Sequence, residues 1–124
     1  MSLVLIVEDN EKNMKLARDI LQAKGYKTVE AETGEEGVKL AKERKPDLVL
    51  MDIQLPGING IEAFRQLRAE AGTAKIPVVA LTASVTPTDR SQITAAGFDA
   101  FISKPISLKE FVETVKRLIE GGGR

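Results

Sequence analysis

Five short runs of β-branched and aliphatic residues alternate with five stretches of helical periodicity, and this alternation limits the fold more than any other property of the chain. The runs are Leu3–Val7, Lys27–Ala31, Leu48–Asp52, Val78–Thr82 and Ala100–Ser103. Three contain continuously apolar segments (LVLIV, LVLM, VVAL), as expected of parallel strands covered by helices on both faces. The second and fifth are weaker and belong at the sheet edges. Repeated strand–helix units in 124 residues predict an α/β fold, a single doubly wound five-stranded parallel sheet with five helices. One domain is expected over residues 1–120, with 121–124 as a disordered tail.

Helix signals fill the gaps. In the first helix Ala17, Ile20 and Leu21 should face the sheet, with Gly25 closing the helix. Thr33 with Glu36, and Ser107 with Glu110, read as capping boxes. Ile61, Phe64 and Leu67 form the expected inner face of the third helix. Leu108, Phe111, Val112, Val115, Leu118 and Ile119 form that of the fifth. Thr86 is the expected N-cap of the fourth helix, with Pro87 in its first turn. That helix, about Thr88 to Ala96, offers only Ile93 and alanines to the interior, so it should be the least firmly packed and the most movable.

Open sheets of this kind carry their chemistry beyond the carboxyl ends of the strands. Glu8 and Asp9 follow the first strand, Asp52 ends the third, Thr82 ends the fourth and Lys104 follows the fifth. Acids after a strand also suit a helix N-terminus, which is the plainer reading of Glu8 and Asp9. Asp52 is different, because an acid closing an apolar strand bears a desolvation cost that something must offset. Three nearby carboxylates repel one another, and a divalent cation relieves that repulsion. The chain holds no cysteine and no histidine. Disulfides, thiol catalysis, a Ser-His-Asp triad and His-ligated zinc are therefore excluded. The remaining oxygen donors favour Mg²⁺, with Mn²⁺ able to substitute. The chain near Gln54 is placed to add a main-chain oxygen. A carboxylate can accept a phosphoryl group, and such transfer needs charge neutralisation more than a base. Lys104 and Thr82 could supply that neutralisation at the phosphoryl oxygens. The Lys104-Pro105 bond, at a strand end, is a candidate cis peptide. A formal net charge of zero argues against direct nucleic-acid binding. No apolar stretch is long enough to span a membrane and no signal peptide is evident, so the expected location is cytoplasmic.

The blocks VLIVEDN, DLVLMDIQLPGINGIE, IPVVALTA and FISKPIS, in this order, resemble the receiver domain of two-component response regulators. The likeness runs from Leu3 to about Glu120 and is greatest to stand-alone cell-cycle receivers and to receivers of hybrid histidine kinases. It implies a flavodoxin-like strand order 2-1-3-4-5. It also implies Asp52 as phosphoacceptor, Asp9 as a direct Mg²⁺ ligand, Glu8 as a ligand through water and Gln54 as a main-chain oxygen ligand. By the same likeness Thr82 and Lys104 bind phosphoryl oxygens, and Thr82 and Phe101 form the switch, although Phe101 reads equally well as core. Gln54 and Ser84 stand where the family tunes phosphoryl lifetime.

The implied function is a phosphorelay switch, not an enzyme acting on a separate substrate beyond its own phosphorylation and slow dephosphorylation. Its donor would be a histidine kinase or histidine phosphotransfer protein, and a downstream protein would read the switched surface. Asn10, Asn13, Leu16, Pro105 and Ile106 are the expected donor contacts, and the chain is expected to be a monomer or weak dimer. A haloacid-dehalogenase-type phosphatase would need an acid where Gln54 stands. A nucleotide or flavin carrier would need a glycine- or hydroxyl-rich loop where Glu8-Asp9-Asn10-Glu11 stands. A receiver-like module that binds partners without phosphorylation keeps all the same features and is separated only by chemistry.

Overall fold

The strands pair in parallel in the order β2-β1-β3-β4-β5. They are β1 (Leu3–Val7), β2 (Lys27–Ala31), β3 (Leu48–Asp52), β4 (Val78–Thr82) and β5 (Ala100–Ser103). The helices are α1 (Glu11–Ala23), α2 (Gly34–Arg44), α3 (Gly60–Ala69), α4 (Pro87–Ala96) and α5 (Leu108–Gly121). These come from a computed structural model that describes residues 2–55, 57–83 and 87–121. The flavodoxin-like order and the edge positions of β2 and β5 are as expected. Thr86, Ser84 and residues 122–124 of the expected tail lie outside the described residues.

The three central strands are apolar up to the polar residues Asp52 and Thr82 that end β3 and β4, because helices cover both of their faces. Val4, Ile6, Leu48, Leu50, Val79, Leu81 and Ile102 pack with Met14, Ala17 and Leu21 of α1 and Phe111 and Val115 of α5. On the other face Leu5, Val7, Val49, Met51 and Val78 meet Val38 and Ala41 of α2 and Ala63, Phe64 and Leu67 of α3. Along each strand alternate residues serve opposite cores, so a one-residue slip would exchange the two faces.

Caps define the helix starts. Asn10, Thr33 and Asn59 side chains accept the N–H of Asn13, Glu36 and Glu62. The Thr33 box closes one residue early, since Glu36 Oε1 accepts from Glu32 N at 2.9 Å. Ser107 contributes its carbonyl, which accepts from Phe111 N at 2.9 Å. Lys24 caps α1, and Gly25 follows at φ +91°, the left-handed region that glycine enters without penalty.

Two inner-face expectations need correction. Leu108 is 58% exposed, and Ile61 is only half-buried, with Ala63 taking the inward place. Both residues lie in the first turn of their helices. Helical periodicity predicts a direction, but it does not say whether packed strand lies beneath that turn. Met14 is the reverse case, a buried residue that the sequence reading omitted. In α4, Ile93 is the one buried side chain among the described residues, in keeping with the weak packing expected there.

Candidate functional site

The hydrogen-bond ladder of the sheet runs on past the strand ends and fixes the backbone of the rim. Glu8 N donates to Ala31 O at 3.0 Å, Ile53 N to Leu81 O at 3.0 Å and Lys104 N to Thr82 O at 2.8 Å. These bonds set the main chain at Glu8, Asp52 and Lys104 before any side-chain contact forms. Gly60 completes the support. A Cβ there would stand 2.2 Å from Asp52 O and 2.8 Å from Ile53 Cα, so only glycine lets α3 start this close to the end of β3.

Glu8 and Asp52 are 1% and 3% exposed, so two acids share a buried rim position. Lys104 Nζ joins them, 2.7 Å from Glu8 Oε1 and 3.0 Å from Asp52 Oδ2. Asp52 Oδ1 accepts from Gln54 N at 3.0 Å, and Glu8 Oε2 from Asn10 N at 3.1 Å. The helix-cap reading of the first acid pair is thus partly right. Glu8 serves the loop before α1, while Asn10 is the cap itself. Asp9 is exposed, yet Glu8, Asp9 and Asp52 each have a carboxylate oxygen within 4.8 Å of the others. The Lys104-Pro105 peptide is cis. Thr82 is buried at the end of β4.

The electrostatics are unbalanced by one charge at the buried pair, since Lys104 alone faces two acids. Burial, reinforced by Asp52, pushes the Glu8 carboxyl up from its ordinary 4.5 to about 7, against the opposing pull of Lys104 and of Asn10 N. Burial works against the charge on Lys104, but the two carboxylates outweigh it and raise its pKa. Glu8 Oε1 is buried, and the Lys104 ammonium 2.7 Å away is its ionic partner. Two buried carboxylates with a third acid beside them fit a hard divalent cation. The all-oxygen donor set fits Mg²⁺.

Most of the residues singled out from sequence meet at this rim. Phe101 does not enter it. The ring is partly exposed on β5, outside both cores, with Arg90 of α4 over it. The Glu8–Lys104 ion pair and the Arg90 contact were missed. Each joins residues on different elements, and no local pattern announces them.

A doubly wound sheet with three acids and a lysine gathered at its carboxyl rim defines a receiver-type signalling switch. Residues 4–116 match the model of the response regulator receiver domain, and the chain belongs to that family. It is 49% identical over 113 residues to the polar-differentiation response regulator DivK of Brucella anthropi and equally to that of Brucella ovis, covering 91% of this chain and 92% of each relative. Solved structures agree. The signal receiver domain of a histidine kinase from Syntrophus aciditrophicus superposes with TM-score 0.92 at 32% identity, over 100% of this chain and 94% of the other. The receiver domain of a Pseudomonas aeruginosa sensor histidine kinase, solved with magnesium coordinated in its active-site cleft, gives TM-score 0.90 at 31% identity, over 96% and 98%. The protein is thus a DivK-like receiver with a role in phosphorelay signalling. Receiver domains take phosphoryl groups from histidine kinases or phosphotransfer proteins and act on downstream partners. No helix among the described residues is long and apolar enough to cross a membrane.

Proposed function

We propose that Asp52 accepts a phosphoryl group from a phosphohistidine donor in a Mg²⁺-dependent transfer, and that the phosphorylated rim changes a partner-binding surface. The observation that carries this reading is the buried Asp52 carboxylate, held by Lys104 Nζ at 3.0 Å and by Gln54 N at 3.0 Å. In the transfer an Asp52 oxygen attacks phosphorus, a P–O bond forms, the donor's P–N bond breaks and the imidazole leaves with the electron pair. Asp9 and Asp52 would hold Mg²⁺ directly, Gln54 through its main-chain oxygen and Glu8 through water; when bound, the ion neutralises charge on the phosphoryl oxygens. Lys104 would exchange its contact with Asp52 for one with a phosphoryl oxygen, keeping Glu8 as its second partner. Thr82, at the end of the next strand, would bind another of those oxygens, and Phe101 would follow Thr82 inward. The change of surface is a shift between two populations, not a new fold.

The donor would dock around the rim at Asn10, Asn13, Leu16, Pro105 and Ile106. Leu16 of α1 is 42% exposed. It and Leu108 of α5 are the exposed large hydrophobics among the described residues, and their helices cover the same sheet face. Binding of beryllofluoride, a phosphoryl mimic, tests the reading. Wild type should respond only when Mg²⁺ is present, and Asp52→Asn should not respond. A response that survives in Asp52→Asn would move the acceptor elsewhere.

A further inference from the structure

Phe101 is half-buried on β5 and belongs to neither core. Its neighbours Ala100 and Ile102 turn toward the α1/α5 core, so its own ring points to the α4 face, the face also taken by Ala80 and Thr82. The register sets the small Ala80 directly beside Phe101, with Thr82 two residues nearer the rim. Arg90 of α4 stands over the ring, its guanidinium carbon 4.9 Å from the centroid. The contact forms one wall of a groove of about 290 Å³ between α4 and β5.

Several contacts tie the described parts of α4, and the chain just beyond it, to the rest of the fold. Just beyond its C-terminal end, Phe98 stacks on Phe64 with centroids 4.1 Å apart. Asp99 Oδ2 accepts from Val78 N at 2.8 Å and from Arg68 at 2.9 Å. Ile93 is buried in the middle of the helix. Toward its N-terminal end, the contact shown between a described α4 side chain and the sheet is that of Arg90 with Phe101. An aromatic ring with a cation over its face is stabilised where it lies. That attraction is lost if the ring moves away toward Thr82.

We propose that Arg90 is a positioning residue that holds the Phe101 ring in its outward, resting place and so sets how readily the switch responds. The inference rests on the reading of Phe101 as a moving part of the switch. Arg90 makes its contact in one of the two populations only, so it biases the equilibrium toward rest by about two- to five-fold, the ratio an exposed cation–π contact supports. Lysine would replace it incompletely, because the planar guanidinium stacks on the ring whereas an ammonium does not.

The full chain labelled with 4-fluorophenylalanine tests this. The chain has four phenylalanines, and the line lost in Phe101→Leu identifies the one that matters. In the resting protein Arg90→Gln should reduce the H₂O/D₂O solvent shift of that line as the ring moves inward. With saturating Mg²⁺ it should lower half-saturating beryllofluoride by about two- to five-fold, with Arg90→Lys in between. In a Phe101→Leu background, followed by the other fluorine lines, Arg90→Gln should have no further effect. An unchanged solvent shift, or an equal gain in affinity in the Phe101→Leu background, would overturn the proposal. A wild type that ignores beryllofluoride with Mg²⁺ present would instead fail the phosphoacceptor reading, and the resting solvent shift would still decide whether Arg90 holds the ring.

Discussion

At the residue scale, Glu8 carries the electrostatic consequence of placing two buried carboxylates against one lysine. Its pKa is about 7 in the folded protein against an ordinary 4.5, so the native state binds this proton more tightly than the unfolded chain does. The resulting stabilisation of the metal-free fold is complete below about pH 4.5 and is lost as pH rises through about 7. Urea unfolding in chelator between about pH 5 and about pH 8 should therefore show the wild-type midpoint falling, and Glu8→Gln should flatten that slope. A wild-type midpoint that rises across the window would show that Glu8 is ionised at less cost than its burial implies. Glu8 itself was legible in sequence as an acid at a strand end. Its deep burial and its pairing with Lys104 were not, because they depend on β5 lying across β4 and β3 from β1.

At the element scale, close approach at one point and looseness at another shape the molecule. The start of α3 has no room for a methyl group at Gly60, where the obstacle is the backbone of Asp52 and Ile53. Gly60→Ala should therefore cost about 3 kcal/mol of stability, at the upper end of ordinary overpacking, because backbone cannot rotate aside as a side chain can. Equilibrium denaturation measures it, and a loss below about 0.5 kcal/mol would mean that α3 shifts freely. At α4 the expectation is the opposite kind. Its amides should exchange with solvent faster than those of α1, α3 and α5 in hydrogen-exchange mass spectrometry. Protection equal to that of α1 would contradict the loose packing. Strand bounds were legible because apolar β-branched runs end abruptly at acids, glycines and prolines. The inward residues of α1, α3 and α5 were legible except in first turns, and no inner face was read for α2, whose Val38 and Ala41 are core. Leu108 and Ile61 show that a helix's facing pattern continues after the surface it faces has ended.

At the scale of the whole molecule, one geometric rule links the sequence to the proposed chemistry. Parallel strands joined by helices bring all their carboxyl ends to one rim, so acids and a lysine scattered from Glu8 to Lys104 become neighbours. The rim's membership was therefore readable from the order of elements alone. Phe101 and α4 were readable only as candidates for movement, because a one-dimensional pattern does not show which cation rests on which ring. Phosphoryl transfer to Asp52 is tested most directly by intact-protein mass spectrometry after incubation with acetyl phosphate. Wild type with Mg²⁺ should gain the mass of one phosphoryl group, located at Asp52 by fragmentation, and should gain none in chelator. Asp52→Asn should stay unmodified under both conditions. Phosphorylation of wild type in chelator, or of Asp52→Asn at another residue to the same extent, would contradict a metal-dependent acceptor at Asp52.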